Sequence, residues 1–453
     1  MVRDNKEMRV TIAGASGFVG RNFINHYKND LKIRALSRSD REDEGELKWR
    51  SADLFSYQSV SPVLEGTDVA IYLVHSMLPN SRLFQGDFQD TDLFLADNFA
   101  RACKRHGVKQ IIYLGGLDPE KSSSQHLESR KEVEEVFRAT GIATTVLRAG
   151  MVVGKGGSSF EILKNLVLNL PMMILPQWTK SNTQAIYIED LIRVLKYCIG
   201  NEKAFNKTIN VVNGESITYK ELIEVASERF KGPKLLIPVP INYTSFSKLW
   251  VTLFGQTDYE LVSPLIDSLT CDLPSPKIPE EIDSLIKFRT FKEMLLEIPL
   301  ERERKKKSSK KFESNTVRSI QRLPNPKGLN VHEVSEAYSF WLPRHMKNLI
   351  QVKGNGDFLY FKLLFLPWPL LTLHRQKDSE DLNRVKFHVV GGILTKTKDT
   401  GWLEFRKVCG DQFTLASINN FVPSLPWYIY KYTQAFVHLR VMHAFGRYLN
   451  RLK

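Results

Sequence analysis

A glycine-rich turn between an apolar strand and a helix is the feature that most constrains this fold. Residues 10–20 read VTIAGASGFVG, with glycines three residues apart directly after the apolar run. Glycine allows backbone angles that other residues resist, and it lets the chain approach a pyrophosphate closely. The helix that follows offers free N–H groups and a positive dipole end to such an anion. The turn therefore predicts a dinucleotide-binding loop made by Gly14, Ser16, Gly17, Phe18, Val19 and Gly20.

The first 150 residues alternate short apolar runs with helical patterns. The predicted strands are Arg9–Ala13, Lys32–Ser37, Leu47–Trp49, Val69–Val74, Gln110–Gly115 and Ala143–Arg148. The predicted helices are Phe18–Tyr27, Phe84–His106 and Ser129–Thr140. Strands that are buried on both faces and separated by helices form a doubly wound parallel sheet. We therefore predict an α/β fold, with a Rossmann NAD(P)-binding domain over residues 1–150.

The residue after the second predicted strand bears on which dinucleotide is bound. An NAD-specific domain usually has an acidic residue there for the ribose 2′-hydroxyl. This chain has Arg38 between Ser37 and Ser39 instead. A guanidinium suits a 2′-phosphate because it forms bidentate, charge-assisted hydrogen bonds. Arg38 therefore favours NADP over NAD as the cofactor, with a solvated surface arginine as the alternative interpretation.

The rest of the chain divides by composition into three segments. Residues 151–300 are predicted to form a smaller substrate lobe. Residues 301–327 carry 10 basic and 3 acidic residues, which is typical of a solvated linker, with a nuclear-localisation signal as the alternative. Residues 328–453 are predicted to be an α+β domain that ends in a long amphipathic helix from about residue 426 to residue 452. Its predicted strands are Phe358–Phe365, Arg384–Leu394, Gly401–Val408 and Gln412–Phe421. An antiparallel sheet with one long final helix resembles the helix-grip, or START-like, architecture.

The net charge of +14 is unevenly placed along the chain. Residues 1–300 carry 37 basic and 38 acidic residues, whereas residues 301–453 carry 27 and 12, a net charge of +15. This excess favours an anionic partner for the last third of the chain. An anionic membrane surface is one candidate, because polybasic segments are attracted to such lipids. Nucleic acid is the less expected partner, because we find no recognisable binding motif.

Aromatic residues in the last segment suggest a second kind of ligand. They are Phe358, Tyr360, Phe361, Phe365, Trp368, Trp402, Phe405 and Trp427. A helix-grip fold can enclose an apolar cavity between its sheet and its helix, and such cavities bind small ligands. We therefore expect a small apolar ligand, with plain core filling as the alternative.

Other sequence features point away from secretion, metal binding and membrane spanning. The four cysteines form no CxxC pair, which predicts free thiols in a reducing compartment. The histidines lack metal-ligand spacing, so we predict no metal site. The N-terminus shows no apolar leader, and the longest apolar stretch, residues 358–373, is interrupted by Lys362, Pro367 and Pro369. We predict a cytoplasmic protein, with peripheral association at a membrane as an option.

The spacing GxxGxxG resembles the extended and atypical branches of the short-chain dehydrogenase/reductase (SDR) superfamily. The resemblance continues in Ser51-Ala52-Asp53-Leu54, which matches the segment that touches the adenine in that superfamily. It also covers Val74 and His75, which stand where the cofactor-lining fourth strand of the family ends. The resemblance implies that Asp53, Leu54, Val74 and His75 contact the cofactor.

The usual SDR catalytic pair, a tyrosine with a lysine four residues later, is missing here. His126 and Arg130 stand at those positions, and Gly115-Gly116 replaces the serine expected after the fifth strand. Arginine stays protonated and cannot shuttle a proton. His126 can serve as a general acid or base, as a positioned hydrogen-bond donor, or simply as a residue that starts a helix.

The motifs LVHSM, NFARACKRHGVKQIIYLGGL and TVLRAG are similar to the NmrA-like atypical SDR proteins, in particular the bacterial YbjT-like subgroup. Members of that subgroup append a C-terminal domain of unassigned function, which residues 401–405 (GWLEF) also resemble. The resemblance implies an NADP(H)-binding oxidoreductase acting on an apolar carbonyl or quinone-like substrate, or a nucleotide-sugar epimerase-like enzyme. It equally allows a non-catalytic NADP(H)-responsive regulator or assembly factor, or a lipid-surface protein with a structural dinucleotide. The absent catalytic pair leaves it uncertain that the chain is an enzyme.

Overall fold

The computed structural model describes residues 7–75, 81–119, 124–232, 234–240, 244–274, 276–300, 314–376, 383–408 and 413–452. The strands are β1 Arg9–Ala13, β2 Lys32–Ser37, β3 Lys48–Ser51, β4 Val69–Tyr72, β5 Ser81–Gln85, β6 Gln110–Gly116, β7 Ala143–Ala149, β8 Met151–Val153, β9 Met172–Leu175, β10 Asn182–Thr183, β11 Ala185–Tyr187, β12 Thr208–Val211, β13 Ile217–Thr218, β14 Leu235–Pro238, β15 Ser314–Pro324, β16 Ile350–Asn355, β17 Phe358–Leu363, β18 Pro369–Arg375, β19 Arg384–Gly391, β20 Trp402–Lys407 and β21 Phe413–Phe421. The helices are α1 Phe18–Tyr27, α2 Tyr57–Val60, α3 Phe88–Arg105, α4 Gln125–Arg138, α5 Ser158–Asn169, α6 Ile188–Cys198, α7 Tyr219–Phe230, α8 Thr244–Gly255, α9 Tyr259–Leu269, α10 Glu280–Asp283, α11 Phe291–Leu296, α12 Val331–His345, α13 Trp427–Tyr432 and α14 Gln434–Asn450. In the part of the chain so described, no helix is both long enough and apolar enough to cross a bilayer.

The chain forms two compact units. The first comprises residues 1–78 and 95–305, and the second comprises residues 79–94 and 306–453. The predicted boundaries at residues 150, 300 and 327 do not follow this division. A short stretch of the N-terminal half, residues 79–94, is part of the second unit.

A parallel seven-stranded sheet organises the first unit. Its strand order is β12-β7-β6-β4-β1-β2-β3, and the neighbouring strands run parallel. The apolar side chains of the central strand β1 are fully buried, as a sheet covered by helices on both faces requires. This confirms the predicted doubly wound fold. The strand order reverses between β1 and β4, and ligands of such sheets bind at this switch point, beyond the carboxyl ends of the strands.

Residues 151–300 add short paired strands and helices to the first unit. Strand β8 pairs with β11, and β9 pairs with β14, both in parallel. A separate apolar cluster around Trp178, Val251 and Ile266 forms the core of this lobe. The indole N–H of Trp178 donates to the hydroxyl of Ser247 at 2.9 Å, which satisfies the buried polar atom of the ring.

An eight-stranded sheet organises the second unit, with the order β16-β17-β18-β19-β20-β21-β15-β5. From β16 to β15 the neighbours are antiparallel, and helices α12 and α14 pack on one face of this sheet around Phe405, Phe445 and Tyr338. A separate C-terminal domain with a sheet and a final helix is therefore present. Its START-like classification stays a prediction.

Two sequence predictions about this unit are wrong. The predicted linker 301–327 contains strand β15, which pairs with β21 along most of its length; residues 301–313 lie outside the described residues. The predicted single final helix is two helices, α13 and α14. They are divided at Thr433, whose backbone angles (φ −118°, ψ −87°) are not helical.

Strand β5 is contributed by the N-terminal half of the chain. The sequence predicts a helix from Phe84 onward, but residues 81–85 form a strand that pairs in parallel with β15, and helix α3 begins only at Phe88. The pairing is fixed by side chains as well. Arg322 forms an ion pair with Asp90 at 2.6 Å, and the amide of Gln321 donates to the carbonyl of Gln85 at 3.1 Å.

A buried ion cluster lies in the same sheet. Glu404 is 1% exposed and accepts a hydrogen bond from Arg384 at 2.8 Å and one from Arg406, whose guanidinium also stacks on the ring of Phe94. The indole of Trp402 donates to the other carboxylate oxygen at 3.2 Å. Burial by itself raises the pKa of Glu404, but Arg406 and Arg384 outweigh it and hold this pKa at about 2. The carboxylate is therefore ionised, and its negative charge is shared between two buried guanidinium groups.

Replacing Glu404 by glutamine should destabilise the second unit by about 3–5 kcal/mol, because it removes the negative charge that two buried guanidinium groups face. Urea denaturation followed by circular dichroism measures this loss. Exposed Glu336 on α12 provides the control, and Glu336→Gln should change the free energy of unfolding by less than about 0.5 kcal/mol.

The same cluster predicts a pH dependence. The folded-state pKa of Glu404 lies below the ordinary 4.5, so its contribution to stability is complete above that pH and declines as the pH falls towards about 2. Glu404→Gln should remove this part of the acid sensitivity. If the wild type and Glu404→Gln lose stability equally as the pH falls, Glu404 is not a source of the acid sensitivity.

Candidate dinucleotide site

The glycine loop between β1 and α1 depends on close backbone contacts. Gly14 has φ +84°, and a Cβ there would lie 2.9 Å from the backbone carbonyl of Leu73. A Cβ on Gly20 would lie 2.5 Å from the oxygen of Gly14. A Cβ on Gly17 would lie 3.1 Å from that same oxygen. Glycine is therefore required for backbone conformation at Gly14 and for close packing of the helix at Gly20.

The amino end of α1 is suited to an anion. Gly17 is the N-cap residue and gives no side-chain cap, and the first helical turn carries no acidic residue. The N–H groups of this turn lack intrahelical acceptors, and they stand at the positive end of the helix dipole. Ser16, Phe18 and Val19 are only partly buried at this position. The geometry fits the diphosphate of a dinucleotide.

The residues predicted to bind the adenosine end lie after β2 and β3. Arg38 is exposed one residue beyond β2, and the hydroxyls of Ser37 and Ser39 are 3.3 Å apart. Arg34, on the same strand, has another role, because its guanidinium donates to the carbonyls of Val63 and Glu65. Of these two arginines, Arg38 is the one whose side chain is exposed at the end of the strand.

The segment Ala52–Phe55 is held as a defined turn. The carboxylate of Asp53 accepts a hydrogen bond from the backbone N–H of Phe55 at 3.1 Å, and its own N–H donates to Ser59. The carbonyl of Leu54 accepts from the side chain of Asn98 at 2.8 Å. These bonds fix the backbone at the position where the adenine is expected.

The other end of the site gathers two histidines and an arginine. Val74 and His75 follow β4 directly and are partly buried. The imidazole of His75 lies against that of His126, with ring centroids 4.9 Å apart. His126 and Arg130 are one turn apart on α4, and Arg130 donates to the carbonyl of Leu114 at 3.3 Å. The structure thus brings together His75, His126 and Arg130, which are far apart in the sequence.

The electrostatics of this group keep His126 neutral. His126 is 8% exposed, and burial, together with the charges of His75 and Arg130, lowers its pKa well below the usual 6.5. A neutral imidazole accepts a proton or donates an N–H hydrogen bond, but it is not a charged acid at pH 7. The group is therefore suited to orienting a polar atom of a ligand.

Some polar and glycine residues near this edge were not predicted from the sequence. The hydroxyl of Ser129 and the Nε of Arg130 are buried without a hydrogen-bond partner among the described residues, as are both amide atoms of Gln184. A second glycine run packs on the dinucleotide loop, because a Cβ on Gly154 would lie 2.9 Å from the ring of Phe18. The pattern GKGG at residues 154–157 is the sequence signal that could have revealed this glycine run. The buried amide of Gln184 has no comparable signal in the sequence. Within the described ranges, no group of three or more His, Cys, Asp or Glu residues could hold a metal ion.

The comparisons with known proteins agree with this geometry. Residues 14–166 match the NAD(P)H-binding family model. The auxiliary protein GraX of Staphylococcus aureus is 25% identical over 181 residues; the match covers 38% of this chain and only 55% of GraX. This part of the chain is therefore an NAD(P)H-binding domain.

Two solved structures share the fold of this chain. A nucleoside-diphosphate-sugar epimerase from Staphylococcus aureus aligns with a TM-score of 0.52 and 19% identity, covering 64% of this chain and all of that one. The triphenylmethane reductase of Citrobacter sp., complexed with NADP(H), aligns with a TM-score of 0.51 and 19% identity, covering 64% and 99%. The chain therefore shares its fold, over 64% of its length, with an epimerase and with a reductase.

Replacing Gly17 by alanine should weaken the binding of NADPH about tenfold or more, which corresponds to about 1.4 kcal/mol. The added methyl group occupies the surface that the diphosphate approaches, while φ of −73° at Gly17 suits alanine, so the fold is retained. Isothermal titration calorimetry measures the change. Gly354→Ala is the control, because its Cβ would meet only Leu359 at an ordinary 3.7 Å. Unchanged affinity in Gly17→Ala would refute the loop assignment.

Proposed function

We propose that this protein binds NADP(H) in preference to NAD(H). The observation that carries the proposal is exposed Arg38 directly after β2, where an NAD-specific domain has an acidic residue. The nearby hydroxyls of Ser37 and Ser39 add donors for phosphate oxygens. The reductase of similar fold that is complexed with NADP(H) supports this choice.

We further propose an oxidoreductase acting on an apolar carbonyl or quinone-like substrate. A dinucleotide bound here would supply a hydride to the substrate carbon, and solvent would supply the proton that the substrate oxygen takes up; both would be removed in the reverse direction. His126, kept neutral by burial, donates an N–H hydrogen bond to the substrate oxygen, a role that the missing SDR tyrosine would otherwise fill. Arg130, one turn from His126 on α4, carries a positive charge that favours negative charge developing on the substrate oxygen.

A non-catalytic NADP(H)-responsive regulator or assembly factor is the second candidate. It is favoured by the low pKa of His126, which makes this residue a poor proton donor at neutral pH, and by the lack of a Tyr–Lys pair. The auxiliary protein GraX is a relative whose name describes such a supporting role. An epimerase-like enzyme, as in the Staphylococcus aureus structure, is the third candidate.

That the second unit binds a small apolar ligand is a further proposal, which only some of the predicted aromatic residues support. Phe361, Trp402 and Phe405 are buried, but Phe365 and Trp368 are about two-thirds exposed (70% and 64%). The aromatic residues therefore do not line one shared cavity. Those that are buried pack in the core, where the ring of Phe405 is 5.8 Å from that of Tyr338.

Arg38→Ala should raise the dissociation constant for NADPH about 10- to 100-fold and change that for NADH little, because only NADPH carries the 2′-phosphate. Fluorescence titration with both nucleotides measures the two constants. Arg447→Ala, which removes an exposed arginine of α14, controls for the loss of positive charge. An equal loss for both nucleotides would show that Arg38 does not select the cofactor.

His126→Ala should reduce NADPH oxidation by quinones or apolar aldehydes about 100-fold or more, because it removes the only N–H proposed for the substrate oxygen. His126→Asn retains a donor and should retain part of the activity. The affinity for NADPH should not change in either variant. The wild-type rate should stay constant from pH 6 to pH 8, because the pKa of His126 lies well below 6.5. Tight NADPH binding without turnover of any substrate would favour the regulator.

A further inference from the structure

We infer that the second unit docks on the surface of an anionic lipid bilayer through one end of its sheet. We call this end the apolar tip, and it consists of Leu349, Leu364, Phe365, Trp368, Ile393 and Tyr428. The inference concerns the second unit alone, so it goes beyond the proposed dinucleotide function.

Backbone hydrogen bonds bring the loops of the apolar tip together. The N–H of Leu364 donates to the carbonyl of Leu349 at 2.9 Å, which joins the β17–β18 turn to the segment before β16. The N–H of Ile393 donates to Pro369 at 3.1 Å, and the N–H of Ser424 donates to Leu394 at 3.0 Å. Four segments that are distant in the sequence therefore meet at the same end of the sheet: the one before β16, the β17–β18 turn, the β19–β20 loop and the one after β21.

The side chains of the apolar tip are strongly exposed. Phe365 is 70% exposed, Trp368 64%, Leu364 60% and Tyr428 71%. Leu349 and Ile393 are 39% and 44% exposed. Single exposed apolar residues are common on proteins, but a contiguous group of large ones marks an interaction site. Two proline residues, Pro367 and Pro369, restrict the backbone of the most exposed turn, so these rings are held outward at a low entropic cost.

The charges around the apolar tip favour a negatively charged partner. Arg344, Lys347, Lys396, Lys398 and Lys431 are exposed on the segments that form it, and Lys362 is partly exposed beside it. Asp399 is the single acidic residue on the same segments. A ring of cations around an apolar centre matches an anionic bilayer, where rings and aliphatic chains enter the interface while lysine and arginine remain at the headgroups.

The composition of the tip also favours lipid over a second protein. Trp and Tyr are the residues enriched at membrane–water interfaces, because their rings are apolar with one polar atom. A second copy of this chain would bring an equally cationic surface to the contact, and like charges placed face to face are repelled. A bilayer that contains anionic lipid has no such penalty.

Vesicle flotation with the full chain tests the inference. The protein should float with vesicles of phosphatidylcholine mixed with phosphatidylglycerol, and should bind pure phosphatidylcholine vesicles more weakly. High salt should weaken the association, because it screens the lysine and arginine charges. Brominated phosphatidylcholine in the anionic vesicles should quench the fluorescence of Trp368. Trp368→Phe should remove most of this quenching, because Trp49, Trp178 and Trp402 are buried and Trp250, Trp341 and Trp427 are less exposed than Trp368.

A double variant separates the tip from general surface effects. Phe365→Ser with Trp368→Ser should weaken binding to anionic vesicles about tenfold or more, because it removes the two largest inserting rings. The matched control is Leu285→Ser with Leu296→Ser, which changes two residues of the first unit that are 65% and 64% exposed. The control should bind vesicles as the wild type does. Both double variants should bind NADPH with unchanged affinity and give the far-ultraviolet circular dichroism spectrum of the wild type, which shows that the first unit and the second unit are both folded.

Two results would overturn the inference. One is that the wild type fails to float with anionic vesicles while it still binds NADPH. The other is a wild-type dimer in analytical ultracentrifugation that the Phe365→Ser, Trp368→Ser variant converts to a monomer without any vesicle binding. The second result would make the apolar tip an interface between two copies. Neither result bears on the dinucleotide site of the first unit.

Discussion

The close approach of α1 to the end of β1 is the constraint on which the first unit depends. Gly14 and Gly20 leave no room for a Cβ, so the helix begins directly against the strand and its N–H groups remain exposed beyond the sheet. The strand that takes part in this contact, β1, lies beside β4 at the switch point of the parallel sheet. Cofactor binding and fold are thus encoded by the same few glycines, because one backbone geometry serves both.

The chemistry at the other end of the cofactor site follows from burial and not from residue type alone. A histidine on the surface titrates near neutral pH, but His126 lies against His75 and close to Arg130, and its charged form is disfavoured. In the function proposed here, this site would stabilise a polar ligand atom through fixed dipoles and the permanent charge of arginine. This differs from the tyrosine–lysine arrangement, in which the proton itself is transferred, and it is compatible with both catalysis and regulated binding.

Local patterns predicted much of the fold, and long-range pairing limited the rest. The bounds of β1, β2 and α1 follow the sequence because apolar runs and glycines act within a few residues. The predicted helix Ser129–Thr140 left out His126, whereas α4 begins at Gln125 and carries His126 and Arg130 one turn apart. Strand β5 was missed because residues 81–85 become a strand only by pairing with β15, more than 200 residues later. Gln184 was missed because the burial of its amide depends on tertiary packing around Gly150, of which the sequence carries no sign.

The contribution of β5 to the second sheet has a consequence for how this protein can be divided or can have evolved. A fragment that begins at residue 306 lacks the strand that covers β15, and so has an open, hydrogen-bonding sheet edge prone to aggregation. A fragment that ends at residue 305 retains residues 79–94 without their sheet. The two units are therefore not modular in the genetic sense, since neither corresponds to one contiguous stretch of coding sequence. Recombination at a single breakpoint would damage both units. The second unit is therefore inherited together with the first.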